Sequence, residues 1–333
     1  MIVRSLGALF LLAIVWGGSI PLTKLGLRDI PPLTLTALRY LAAAPCFLWL
    51  LRGRRLPPPR ACAAAAGLGL LGIGVGQVSQ TLGVRLTPAS VATVISALIP
   101  VFVVALAAVR LRQPVGGVQI AGLAAALVGV ALVAGGDPRA LPGALGIGPP
   151  RTGAPGVPHP VALAGFDTIV ARGVSAGTGL LLLSSVAVAL YYVLSVELIE
   201  RYSVLTIAAV SSLAGAAALT PIAVWELGHA PMRVTVTGIA VVLYLGLLVT
   251  VAGLWIWFGA LTRLPARIPA ALQYLQPIVG VLASAALFDD RLDRWFWTGT
   301  ALVLAGIALS AGPGGARRPG RAFAPWRSPD RRV

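Results

Sequence analysis

Apolar residues run along this chain in long blocks, each bounded by Arg, Pro or acidic residues. A helix that crosses a bilayer needs about 20 mostly apolar residues. Ten blocks reach that length: 5–27, 33–51, 61–83, 88–109, 115–135, 177–198, 203–224, 235–258, 265–287 and 295–312. The pattern predicts an all-α integral membrane protein with ten transmembrane helices. The first block, after Arg4, begins like a signal peptide. Its apolar character continues past Trp16 to Leu27 without a small-x-small cleavage site, so it is expected to stay as a helix.

Composition agrees. Of 333 residues, 58% are apolar and only 11% charged, against about 45–50% and 25% in soluble domains. That is too little charge to clothe a globular surface of this size. A soluble enzyme, a disordered chain and a disulfide-built secreted module are all excluded. Cys46 and Cys62 sit in or beside apolar runs without metal-ligand spacing, so no metal site is expected.

The net charge of +16 does not point to nucleic acid, because the basic residues lie between the apolar blocks and at the C-terminus. That distribution follows the positive-inside rule. With the N-terminus inside, the gaps and tail hold 16 Lys and Arg on the cytoplasmic side and nine outside, Arg39 being left out as it falls within a block. The short Arg52–Arg60 loop dominates the balance. Both termini are expected to be cytoplasmic, in a multi-pass protein of the inner membrane.

The chain also repeats itself. A shift of 177 residues carries Pro88 onto Pro265, Pro100 onto Pro277, Gly122 onto Gly299, Gly129 onto Gly306 and Gly135 onto Gly312. From Ala124 to Gly135, seven of twelve positions are identical to their counterparts. Five helices copied as five helices must enter the membrane from opposite sides, because each repeat holds an odd number of spans. The expected organisation is a first repeat at 1–135, a Gly/Pro-rich connector at 136–176, a second, inverted repeat at 177–312 and a basic cytoplasmic tail at 313–333. Inverted repeats are a device of secondary transporters, with the substrate site near the midplane between the halves. The tail either contacts anionic lipids or only anchors the topology.

Five short segments carry a family likeness. They are Ala13-Ile14-Val15-Trp16-Gly17-Gly18-Ser19, Thr36-Ala37-Leu38-Arg39-Tyr40, Leu98-Ile99-Pro100-Val101, Leu275-Gln276-Pro277-Ile278, and Asp290-Arg291 nine residues before Gly299. In this order the chain resembles the EamA-type transporters of the drug/metabolite transporter superfamily. At the position matching Asp290-Arg291 in the first repeat stands Gln113-Pro114, a departure from the family pattern. The resemblance implies a transporter of metabolites, amino acids or drug-like compounds, more in keeping with export than import.

Polar residues inside apolar blocks are the candidate chemistry. An Arg at the centre of a membrane helix costs about 2.5–3.5 kcal/mol on insertion scales. Arg39 therefore either faces a central cavity, binding anionic groups or pinning a gate, or snorkels to the outer interface. Trp16, Ser19, Ile20 and Thr23 share one face of the first helix. Gln77 and Gln80 share a face of the third, and Gln273 and Gln276, flanking Tyr274, a face of the ninth. The four amides should face inward, lining a path or joining helices. Tyr191, Tyr192 and Ser195 with Trp255 and Trp257 complete an aromatic-polar wall, unless the two Trp form an interfacial belt. Pro100 and Pro277 lie mid-span, where they are expected to kink helices four and nine or to free carbonyls that could line a cavity. Lys24 is expected as an interface anchor.

Glu197 is the one acid within a predicted span and the candidate for coupling, though it also fits an interfacial charge; proton coupling, exchange and facilitated diffusion stay open. The G-x-G-x-x-G run at Gly67–Gly72 lies inside a span, where a dinucleotide fingerprint has no meaning. Its glycines, with Gly74 and Gly76, suit close helix packing. With no nucleotide motif, ATP is not the direct energy source, and no cofactor or catalytic residue is expected. The expected function is a secondary transporter of a small-molecule substrate. An intramembrane lipid-modifying enzyme or a non-transporting scaffold are the alternatives.

Overall fold

The computed structural model describes residues 2–110, 116–135, 176–261, 272–290 and 292–310, and every regular element among them is helical. In chain order the helices are α1 (2–26), α2 (Pro32–Leu51), α3 (Pro59–Leu86), α4 (Ala89–Arg110), α5 (Gly117–Gly135), α6 (Ala176–Ile199), α7 (Val204–Leu227), α8 (236–261), α9 (Leu275–Phe288) and α10 (Arg294–Ser310). The first eight are long and apolar enough to cross a membrane. The last two have 14 and 17 residues. The connector, the basic tail, Gln113-Pro114 and the expected start of the ninth span at 265–271 lie outside the described residues.

Sequence punctuation sets the starts. α2 and α3 begin with Pro at the first helical position, where no backbone N–H is needed, and α4 begins just after Pro88. Four helices are interrupted or widened along their length, and a turn precedes a fifth. α1 breaks at Gly18, between Ile2–Gly17 and Ser19–Gly26. α4 breaks at residues 97–98, ahead of Pro100, and a turn at Tyr274 precedes α9, ahead of Pro277. Moved by 177 positions, residue 97 falls on residue 274. α3 widens into π-helical turns over Leu70–Gln77, and α8 does the same over Tyr244–Ala252. The first of these, moved by 177, covers 247–254 and so overlaps the second. π-helical turns are rare and cluster at functional sites.

The helices pack in a consistent pattern. α2 lies on α7, and α5 on α10. α3 rests on α6 and α7, while α8 rests on α1 and α2. α4 meets α6 and α9, and α1 meets α9. Under the 177-residue shift each of these pairings turns into itself or into another that is present. The main core gathers residues of α4, α5, α6, α9 and α10, including Ile95, Leu98, Ala126, Leu181, Val281 and Val303.

The α5–α10 seam shows how glycine makes this geometry. A Cβ on Gly129 would stand 2.5 Å from the Gly299 carbonyl oxygen, and one on Gly299 would stand 2.5 Å from that of Gly129. Gly122 and Gly306 meet in the same reciprocal way, at 2.7 and 2.5 Å. The chains run antiparallel, with the low-numbered glycine of α5 opposite the high-numbered glycine of α10. Between the two contacts lie Ala126 and Val303, counterparts under the shift and both fully buried. Small residues that let backbones approach are a principal source of helix affinity in lipid, where burial of apolar surface gives none.

In α3, Gly69, Gly72 and Gly76 lie against Ser211, Tyr191 and Val188, while Gly67 and Gly74 have nothing within 4 Å. These environments separate two substitutions of similar chemistry. Overpacking a close contact costs about 1–3 kcal/mol where side chains can shift, and at Gly299 the obstacle is backbone. Gly299→Leu should abolish the monodisperse folded species in detergent, whereas Gly74→Ala should leave its thermal midpoint within a degree or two. Equal behaviour of the two variants in size-exclusion and thermal-melt assays would contradict the seam.

Candidate functional site

Arg39 stands near the middle of α2, half-buried. Its guanidinium is held by two neutral groups. Nε donates to Thr250 Oγ1 at 3.0 Å, and Nη1 donates to Gln77 Oε1 at 2.9 Å. Both partners come from the π-helical turns, Gln77 closing that of α3 and Thr250 lying within that of α8. The Thr250 hydroxyl donates in turn to the Leu245 carbonyl at 2.8 Å, which leaves its oxygen aimed at Arg39. Close approach of α8 at this level needs Gly246, whose Cβ would come within 2.6 Å of the Arg39 carbonyl oxygen.

Tyrosine side chains lie near this charge. The Arg39 guanidinium carbon lies 5.4 Å from the Tyr40 ring centroid. Tyr192 is within electrostatic reach of both Arg39 and Tyr40, and its ring is 5.5 Å from that of Tyr191. Tyr192 is nevertheless 51% exposed.

A second group adjoins the first through the same π-helical turn. Trp16 Nε1 donates to the Val249 carbonyl at 2.9 Å, one residue before Thr250. The Trp16 and Trp257 rings are 5.7 Å apart. With Gln273 and Gln276 they line a narrow recess walled by Leu9, Leu12 and Ala13. Gln276 Nε2 donates to Gln273 Oε1. The break in α1 is tied down here as well. Ser19 Oγ donates to the Trp16 carbonyl at 2.6 Å, and the Tyr244 hydroxyl to the Val15 carbonyl at 2.6 Å. Both bonds serve carbonyls that a continuous helix would have satisfied.

At the end of the bundle near Lys24, polar side chains close the corners. Lys24 Nζ donates to the carbonyls of Val84, Arg85 and Thr87 at 2.7–2.9 Å, which end α3. Asp290 accepts from Ser90 N at 2.9 Å at the start of α4. Asp29 accepts from Thr235 Oγ1 at 2.6 Å. Glu226, buried, reaches from α7 to the start of α2 and accepts from Thr34 N at 2.7 Å, Thr34 Oγ1 at 2.8 Å and Leu33 N at 3.3 Å. α2 has no cap of its own because prolines occupy its first positions, so Glu226 caps it from another helix.

Of the residues singled out in the sequence, Arg39, Gln77, Tyr191 and Tyr192 come together in one group, and Trp16, Gln273 and Gln276 in the other. Gln80 is half-buried, three residues beyond Gln77. The Tyr274 hydroxyl points to the Ile307 carbonyl on α10, at 3.5 Å. The ring partner of Trp16 is Trp257, while Trp255 is 73% exposed. Glu197 pairs with Arg110 at 3.0 Å, both side chains more than half exposed, away from either group. Sequence reasoning missed Thr250, Tyr40 and Glu226.

The model of the EamA-like transporter family matches residues 4–135 and 175–312. The chain belongs to this family. Among relatives in the EamA-like family, a probable terminal-alkyne amino-acid exporter of Streptantibioticus cattleyicolor is 27% identical over 310 residues, covering 92% of this chain and 93% of that one. A probable amino-acid metabolite efflux pump of Escherichia coli (strain K12) is 26% identical over 320 residues, covering 92% and 95%. A solved crystal structure shares the fold with a TM-score of 0.58 at 17% identity, over 92% of this chain and 96% of that one. The chain is thus a multi-pass membrane protein of an EamA-like transporter lineage.

For this EamA-like protein, loss of the Glu226 cap leaves two N–H groups of α2 without their acceptor, at about 1–3 kcal/mol for each buried group, while the Thr34 hydroxyl keeps the Ala223 carbonyl at 3.4 Å. Glu226→Leu should lower the thermal unfolding midpoint in detergent clearly, and Glu226→Gln, which keeps one acceptor oxygen, should lower it less. An unchanged midpoint in Glu226→Leu would refute the cap.

Proposed function

We propose that this protein is a secondary transporter that exports small organic solutes across the inner membrane. Its central cavity is exposed alternately to the two sides by rocking of two inverted five-helix halves, with both termini cytoplasmic. The observation that carries the proposal is Arg39, a fixed charge near the middle of a membrane helix, half-buried and held by Gln77 and Thr250. A non-transporting scaffold calls for a closed apolar core instead. Intramembrane charges of this kind mark substrate pathways.

Support for the inverted halves comes from the seams. Under the 177-residue shift Gly122 becomes Gly299 and Gly129 becomes Gly306, so the contacts Gly122–Gly306 and Gly129–Gly299 are exchanged for one another. That exchange, between antiparallel helices, is the behaviour of a two-fold axis lying across them. α2 and α7 pack antiparallel in the same sense, with Ala37 and Tyr40 against Ala216 and Leu219. The two stretches matched by the family model fall on either side of the connector. Support for small-solute export comes from the relatives, two of which are named for export of amino acids or their metabolites. Glu197, near the end of α6, is the candidate for coupling, by proton or by exchange.

Untargeted metabolite profiling of medium from cells lacking, carrying and overproducing the protein tests the proposal. External levels of at least one solute should rise with expression. The rise should vanish for Arg39→Ala and weaken for Gln276→Leu when these variants are present in equal amount in the membrane. A medium and cytoplasm that do not change with expression under several growth conditions would overturn it.

A further inference from the structure

Resting on that transport reading, we infer that the exported solute carries an anionic group that docks on Arg39, and that organic cations are excluded. A guanidinium keeps its charge at any accessible pH and offers five N–H donors. Two of them are used, on Gln77 and Thr250. Neither acceptor is charged, and among the described residues no carboxylate pairs with Arg39. Asp29, Glu197, Glu226, Asp290 and Asp293 are engaged elsewhere, with Thr235, Arg110, Thr34, Ser90 and Phe296 N. The three remaining donors, both on Nη2 among them, have no acceptor among the described residues.

A charge in this position is not a structural ion pair. Such a pair would present no net field. Here the partners fix the orientation of the guanidinium, through the hydroxyl of a π-helical turn and a Gln that ends another, and leave its charge uncompensated. An incoming carboxylate or phosphonate can take the free fork in a bidentate contact. The Tyr40 ring lies 5.4 Å from the guanidinium carbon, and Tyr192 is within electrostatic reach of it. A cation would meet the same field with the opposite sign. The feature belongs to one half only, since the counterparts of Arg39, Gln77 and Thr250 under the shift are Ala216, Leu254 and Ile73. The site therefore holds one such charge, suited to one anionic group.

Gln77→Glu is the discriminating variant, because it supplies the missing carboxylate in nearly the same volume. Full-length protein in liposomes would be loaded with norleucine, N-acetylnorleucine or norleucinamide, and efflux measured against empty liposomes. The two acids should leave at least tenfold faster than the cationic amide. Gln77→Glu should reduce efflux of the acids at least tenfold while raising the thermal midpoint, and Arg39→Lys should retain the preference for acids. An amide that leaves as fast as the acids, or a preference that survives Gln77→Glu, would overturn the inference and leave transport itself standing. If none of the three moves, the solute that rises in the medium of expressing cells decides: an anionic group upholds the inference and its absence overturns it. No expression-linked solute would instead overturn the transport reading.

Discussion

A guanidinium inside a lipid-embedded bundle cannot neutralise itself, so its neighbours must make its presence tolerable. Arg39 is that group here, and much of the surrounding structure can be traced to it. Two helices widen into π-helical turns at its level, and each brings it a neutral acceptor, Gln77 from α3 and Thr250 from α8. The same turn of α8 gives its Val249 carbonyl to Trp16, and so links the charge to the recess between α1, α8 and α9. α2, which carries Arg39, is held at its start by Glu226 of α7. The seam of glycines between α5 and α10 lies apart from this centre and has no charged residue of its own to accommodate.

Scaffold and chemistry follow different rules. The helix pairings, the interruptions before Pro100 and Pro277, the two π-helical stretches and the glycine contacts all have counterparts 177 residues away. The polar side chains do not. Arg39, Tyr40, Gln77 and Thr250 correspond to Ala216, Ala217, Leu254 and Ile73. In the proposed transport cycle, a frame of matched halves would rock about its centre, while a solute bound in one orientation would need an asymmetric surface. Keeping the first feature in the backbone and the second in a few side chains lets one sequence meet both demands.

Much of the frame was legible in the sequence because membrane helices declare themselves by length and apolar content. The first eight blocks coincide to within a few residues with helices long and apolar enough to cross a membrane, and the last two overlap shorter helices. Arg39, Gln77, Trp16, Gln273 and Gln276 were legible as costly polar groups that lipid would reject. What stayed hidden depends on local departures from the α-helical period. Thr250 is an ordinary residue for a membrane helix, and only the π-helical turn aims its hydroxyl at Arg39. That widened stretch also resets the faces of α8 beyond it, so that Trp257 and not Trp255 meets Trp16. Glu226 was placed outside its span because α7 runs three residues past the expected end at 224.

The central claim is that water reaches the interior of the bundle beside Arg39. Tyr192, half-exposed and within reach of the guanidinium, reports on that space. With Cys46 and Cys62 replaced and Tyr192→Cys introduced, a membrane-impermeant maleimide should label the protein in oriented vesicles from at least one side, and bound solute should slow the labelling. A thiol at position 192 that stays unreactive from both sides, while a lipid-soluble maleimide reacts with it readily, would place the residue against lipid and contradict a solvated centre.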